Sequence, residues 1–398
     1  MTSRPPLYLM LMLVSIGCIG AVLYTPALPL IGEYFQISDR LAELSMTIYL
    51  IGYALGQLPF GPISNRFGRK NALYLGLSLA AIAACLSILS AYTHTYSLFI
   101  VARFLFALGA TAGLQVIYTV IGDLYVPPKS IQIASYMTLV FAMSPSISTT
   151  IGGFLTEYLG WQSCFYFLLI YCLVLLFLCR FLPETILVKE KHALKIKNFL
   201  TDYKAQLQDR KVMYVSIIIG LAISFNYTFA TMAPTIAIGH MHISPSFYGL
   251  FNIIPSVALV FGAILSGILA TSRHHLPMKI MLYAIIITFC GTILMLGLFL
   301  TKEINIYSLF IPYAIALLGQ PIIETNTLCL ALHHHKNKAI TSAVINCVTI
   351  GICGFFSLLC SLLGTGTALY IPLIFLLLTL LIFILYGKIK TIYAKKAP

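Results

Sequence analysis

The chain of 398 residues is 60% hydrophobic and only 9% charged, with a mean hydropathy of +0.97. A soluble protein carries about a quarter charged residues, so this composition excludes a soluble globular fold and demands lipid as the solvent. The net charge of +13 would suggest nucleic acid in a soluble chain, but here Lys and Arg fall in alternate loops between apolar runs, facing anionic headgroups. Those runs are continuous rather than alternating, which excludes a β-barrel and predicts an all-α membrane protein.

The first span is predicted over Leu7–Ile31, with Pro26 and Pro29 near its outer end. Arg4 precedes it, and no small-residue cleavage site follows, so no cleavable signal is read. Spans 2 and 3 are predicted over Glu43–Ile63 and Ala72–Tyr92. Between them the apolar run stops at Gly61-Pro62, and a short turn carries Arg66, Arg69 and Lys70 around Gly68. The glycines let the chain reverse and let neighbouring helices approach. Spans 4, 5 and 6 follow over Tyr96–Gly122, Ile131–Tyr158 and Gln162–Leu182. A long polar segment, residues 184–211, then carries Lys189, Lys191, Lys195, Lys197, Lys204, Arg210 and Lys211. Its Leu194, Phe199 and Leu207 allow an amphipathic helix on the membrane surface.

The second half repeats the layout. Spans 7 to 12 are predicted over Val212–Ile238, Ser246–Ala270, Met278–Leu300, Tyr307–Leu332, Ala339–Leu363 and Leu369–Gly387. The positive loops, the linker and both termini fall on one side, predicted to be cytosolic at a bacterial inner membrane. Residues 1–183 and 212–398 thus read as two six-helix halves joined by a basic linker, residues 184–211. The ten cysteines lie in apolar runs and read as reduced, buried packing residues.

Five ordered motifs add a resemblance. Gly61-Pro-Ile-Ser-Asn-Arg-Phe-Gly-Arg-Lys70 resembles the loop Gly-x-x-x-Asp-Arg-x-Gly-Arg-Arg/Lys. Tyr24-Thr-Pro-Ala-Leu-Pro29 resembles the Asp-x-Tyr-Leu-Pro-Ala-Leu-Pro end of span 1, and Arg103 through Ala110 a span 4 motif. Ser144-Pro145 through Ile151-Gly-Gly153 resembles the antiporter motif of span 5, and Gly160-Trp161 with Leu182-Pro-Glu-Thr185 the flanks of span 6. Together they resemble the major facilitator superfamily, and within it the drug:proton antiporter group of the bicyclomycin/chloramphenicol-resistance branch. The resemblance implies halves that rock about a central cavity lined by spans 1, 4, 7 and 10, exporting a drug-like molecule against protons. Four positions depart from the pattern: Asn65 replaces the signature Asp, Val22 the span 1 acid, Thr149 the second span 5 proline and Phe106 the span 4 Gln.

Ionisable groups inside spans are site candidates by default. Arg103 in span 4 reads as a buried cation for an anionic substrate or a carboxylate partner, rather than one that snorkels outward. Glu324 in span 10, beside the helix-breaking Pro321, has two open readings. It either carries a proton or pairs a cation, or it is a structural partner for Asn326 or a cationic loop. Asp123 is expected to form an inner latch with Arg66 or Arg69, compensating for Asn65. Glu43 reads as an exposed helix-start carboxylate, with an outer-gate role as the alternative. Tyr24, Gln115 and Asn226 complete the predicted pathway, and Pro145, Gly152 and Gly153 the predicted hinge at a span 5/8 contact.

No Walker loop or enzyme signature is present, so neither ATP nor a cofactor is expected. No metal is expected either: His240 and His242 lack a third ligand, and His333-His334-His335 reads as solvated surface. The expected partners are a small-molecule substrate, protons as coupling ion and membrane lipids, with the chain acting as a monomer. The expected function is alternating-access transport of a small amphipathic organic molecule, as efflux. Missing acids make uptake or facilitated exchange of a metabolite or siderophore-like chelate the rival. A non-transporting membrane sensor or scaffold is the third reading.

Overall fold

In lipid every backbone N–H and C=O must pair within its own segment, so each apolar run folds as a helix. The computed structural model describes residues 5–126, 129–186, 203–271, 277–332, 338–364 and 366–394, and these contain helices and no strands. Span 1 is α1 (Leu7–Val22), a 3-10 turn (Thr25–Ala27) and α2 (Leu28–Phe35). Span 2 is α3 (Asp39–Gly56) with α4 (Phe60–Phe67). Spans 3 to 6 are α5 (Arg69–Tyr92), α6 (Tyr96–Leu124), α7 (Lys129–Leu159) and α8 (Ser163–Leu178). A short helix α9 (203–208) leads into span 7, which is α10 (Arg210–Pro234) ending in a π turn (Thr235–His240). Span 8 is α11 (Pro245–Phe251) with α12 (Ile253–Thr271), and span 9 is α13 (Pro277–Leu300). Span 10 is α14 (Ile306–Leu318) with α15 (Gln320–Leu332), and spans 11 and 12 are α16 (Lys338–Leu363) and α17 (Tyr370–Ala394). Among the described residues, eleven stretches are long and apolar enough to cross a bilayer, and the bent pair of span 2 makes twelve.

Proline placement explains where the spans differ from their predicted form. Span 1 runs past Ile31 to Phe35, because Pro26 and Pro29 occupy first-turn positions where no N–H is needed. Span 2 does not stop at Gly61-Pro62. It bends by 44° between α3 and α4, and Pro62 sits in the first turn of α4. The chain reverses at Gly68, whose φ of 107° suits glycine. Span 10 breaks at Gly319, which packs against the Ala284 carbonyl of span 9.

Two large apolar cores form among the described residues, with a small third cluster where Tyr203, Val212 and Val344 meet. One large core, from spans 1 to 6 with Ile350 and Cys353 of span 11, is built around Tyr24, Tyr49, Phe99, Phe106 and Phe165. The other, from spans 7 to 12, is built around Phe225, Phe229, Phe310 and Phe375. The nine described cysteines are free, but Cys85 and Cys290 are exposed on the surface rather than buried as predicted. Mid-span apolar faces meet lipid as readily as core, so apolar context does not fix burial. Of the amphipathic linker helix predicted through Leu194, Phe199 and Leu207, only Leu207 is described, exposed on α9; Leu194, Phe199 and His333-His334-His335 lie outside the described residues.

The cores meet along two seams on the side away from the Gly68 hairpin. In the first, span 5 lies against span 8: Thr150 Oγ1 donates to the Gly249 carbonyl at 2.8 Å, and Ser256 Oγ to the Ala142 carbonyl at 3.2 Å. In the second, span 2 lies against span 11, with Thr47 Oγ1 at 3.0 Å from Ser357 Oγ. On the hairpin side α9 touches both cores. The Tyr203 hydroxyl donates to the Leu58 carbonyl at 3.3 Å, and Gln206 Oε1 accepts from Thr341 Oγ1 at 3.0 Å.

Candidate functional site

Between the cores lies a cavity of about 350 Å³, walled by spans 1, 2, 4, 5, 7, 8, 10 and 11. Away from the hairpin it ends at Thr25, Phe229 and Tyr248, under the two seams. Toward the hairpin it reaches Gln57, Tyr118, Glu324 and Ser342, and Tyr118 is 41% exposed there. The lining is mainly apolar and aromatic, with a few amides, hydroxyls and one carboxylate, Glu324.

Three of the five predicted pathway residues line it: Gln115, Asn226 and Glu324. Gln115 Nε2 donates to Gln57 Oε1, joining spans 4 and 2. Asn226 Nδ2 donates to Gln320 Oε1 at 2.7 Å, and its Oδ1 accepts from the Tyr313 hydroxyl at 3.0 Å. Gln320 and Tyr313 were missed in the sequence, because their approach depends on the span 10 break at Gly319. Glu324 makes no ion pair among the described residues. The partner predicted for it, Asn326, instead donates to its own helix at the Ile322 carbonyl, 2.8 Å away.

Tyr24 and Arg103 do not line the cavity. They form a packed unit behind it. Arg103 is 1% exposed, with its guanidinium 3.9 Å from the Tyr24 ring centre and 4.4 Å from that of Tyr49. Its Nη2 donates to the Gly20 carbonyl at 2.8 Å, near the C-terminal, electronegative end of α1. Two aromatic faces and the Gly20 carbonyl hold the cation, while its Nε and Nη1 have no hydrogen-bond partner among the described residues. The Tyr24 hydroxyl pairs with Ser45 Oγ at 2.8 Å.

At the hairpin, Arg69 rather than Arg66 meets Asp123: Nε to Oδ2 is 3.1 Å. Arg69 Nη1 also donates to Asn65 Oδ1 at 2.5 Å and Ser64 Oγ at 2.9 Å. Arg66 is exposed and lies over the Phe67 ring, 5.2 Å from its centre. Glu184, whose motif was noted without a role, accepts from the backbone N–H groups of Arg69 at 2.9 Å and Lys70 at 3.2 Å. It thereby caps the N-terminus of α5 and complements that helix dipole. Thr185 Oγ1 donates to Asp123 Oδ2 at 2.7 Å, so the span 6 flank closes the cluster.

Pro145 lines the cavity from inside α7. A side chain at Gly152 would collide with the Leu23 carbonyl of span 1, and one at Gly153 with the Pro245 carbonyl of span 8. Glu43 is not the exposed carboxylate predicted from its position near the start of α3. It is 0% exposed, and Thr235 Oγ1 of span 7 donates to its Oε1 at 3.3 Å. The helix start is covered because spans 7 and 11 pack over it. The described residues hold no group of three or more potential metal ligands.

Comparison with known proteins agrees with this architecture. Residues 10–358 match the Major Facilitator Superfamily. An uncharacterized transporter of Rickettsia bellii is 27% identical, the match covering 99% of this chain and 98% of that protein. Multidrug resistance protein D of Escherichia coli is 26% identical over 66% of this chain and 65% of its own. Drug-resistance transporters of the drug:proton antiporter branch are thus among its relatives. The xylose transporter XylE of E. coli, in a partially occluded inward-open conformation, superposes with a TM-score of 0.72 at 15% identity. That superposition covers 96% of this chain and 97% of XylE. Twelve apolar helical stretches in two packed cores, with a cavity between them, make this chain a non-enzymatic membrane transporter that belongs to the Major Facilitator Superfamily.

Proposed function

We propose that the protein exports a small amphipathic organic molecule by alternating access, with residues 1–183 and 212–398 as the moving halves. The observation that carries this is the cavity itself: aromatic and aliphatic walls, amide pairs from both cores and one carboxylate. Apolar walls with few polar groups bind amphipathic molecules, and a lone carboxylate favours neutral or cationic ones. The Lys- and Arg-rich hairpin side is taken as cytosolic, which puts the cavity in an inward-facing state. The Arg69–Asp123–Asn65 cluster lies within one half and acts as a brace for the hairpin when the inner side opens. The span 5/8 contact at Gly153 and Gly249 is the pivot.

Uptake or facilitated exchange of a metabolite or chelate is the second reading. It is favoured by Val22, an apolar cavity-lining residue where the antiporter branch has an acid. Expression in cells lacking their own pumps separates the two. Efflux raises drug tolerance and loses that effect with an uncoupler. Unchanged tolerance together with substrate accumulation would overturn efflux.

A further inference from the structure

Away from the cavity, a second polar system runs through the closed outer seam. Glu43 sits there fully buried, and its Oε2 has no partner. Span 7 presents Thr235 to Oε1 at 3.3 Å. One turn deeper, Thr47 of span 2 meets Ser357 of span 11 at 3.0 Å, and Ser357 meets Thr231 of span 7 at 3.1 Å. Three spans from two cores therefore converge on a carboxyl through neutral hydroxyls. The titratable and charged groups facing it are Asp39 and Arg40 on α3 and Cys360 on α16, while span 7 contributes only hydroxyls. Arg40 does not neutralise it. That side chain is exposed and turned to the end of span 11, Nη2 donating to the Leu363 carbonyl at 3.4 Å.

An ionised carboxylate buried without a cation or enough donors is costly, whereas a protonated one is an ordinary polar group. When spans 2, 7 and 11 part, the same carboxyl meets water and can ionise freely. We propose that Glu43 is a proton-binding site of the outer gate: protonated while the seam is packed, and ionised when it opens. Resting on the alternating-access reading, this makes outer acidity favour the inward-facing state. No further reactant is required, since the proton passes between the carboxyl and outside water. The site supplies a titrating group that span 1 lacks at Val22.

The test is hydrogen–deuterium exchange of the full-length protein in lipid nanodiscs, read on peptides covering residues 40–51 and 354–364. Labelling times are scaled for intrinsic exchange. One proton linked to opening makes the opening constant rise about tenfold per pH unit once the pH exceeds the pKa of the carboxyl in the open state. Glu43→Gln and Glu43→Met each remove the titrating group and should flatten that slope; either variant that folds decides. A flat wild-type profile overturns the proposal, as does an unchanged slope in a folded Glu43 variant. The measurement needs no substrate. Failure of drug export with an intact pH slope therefore rejects the transport reading alone, and the converse rejects the gate alone.

Discussion

Asn226 on span 7 donates its amide to Gln320 on span 10 at 2.7 Å, where span 10 is interrupted at Gly319. With the Tyr313 hydroxyl on its carbonyl at 3.0 Å, the pair fixes the broken helix against span 7 inside the cavity wall. Asn226→Leu should leave both partners without a mate. An unpaired buried polar group costs about 1–3 kcal/mol. The expected result is about tenfold weaker apparent affinity for a transported drug, with a lower melting temperature. Drug tolerance normalised to membrane expression reads the first, and thermal melting of the purified protein the second. Wild-type values for both would remove Asn226 from the site.

Asp123 is the carboxylate found with Arg69 at 3.1 Å. The guanidinium is buried, and Asn65 and Ser64 supply only neutral oxygens. Asp123→Asn should leave it without a counter-charge and lower transport by about tenfold, the equivalent of 1.4 kcal/mol. Because Asn65 already contacts Arg69, adding Asn65→Asp should return a carboxylate and restore much of the loss. Absence of rescue at normal expression would mean that Asp123 acts through Thr185 instead.

Glu324 and Glu43 lie on opposite sides of the closed barrier, one lining the cavity and the other under the seam. On the proposed reading they exchange protons with different surfaces. Glu324→Gln should express and melt normally but lose the dependence of proteoliposome transport on an imposed pH gradient. It should leave the pH slope of the outer peptides intact. If gradient-driven transport survives in Glu324→Gln, the cavity carboxylate is not the coupling group.

The spans were legible because lipid permits only one solution for a long apolar run. The hairpin charge and the repeat of six spans followed from loop composition. What could not be read is the direction each helix faces. Glu43 has Asp39 and Arg40 as near neighbours, the marks of an exposed helix start, yet two other spans bury it. A signal did exist: Glu43 and Thr47, Thr231 and Thr235, and Ser357 and Ser361 each lie at i, i+4, so each pair shares one helix face. Arg103 is buried as read, but it stacks on two tyrosine faces behind the cavity instead of lining it, a placement that depends on which way span 4 faces. Gln320 was reachable only through the broken helix.

Gly153 offers a test of the proposed pivot. A methyl there meets the Pro245 backbone of span 8, which cannot step aside like a flexible side chain. Gly249, across the seam, also sits tight, though less so, against the Thr149 and Thr150 backbone. Gly153→Ala must therefore push the two cores apart at the span 5/8 seam. The expected outcome is a folded protein with transport reduced at least about tenfold and faster exchange in peptides around residues 245–256. Gly267 is the comparison: it is exposed, with nothing within 4 Å of an added Cβ. Gly267→Ala should be neutral in transport and stabilise α12 by about 0.5–1 kcal/mol, because alanine loses less backbone freedom than glycine. If both variants transport alike, the close seam is mere packing and the halves turn about another contact.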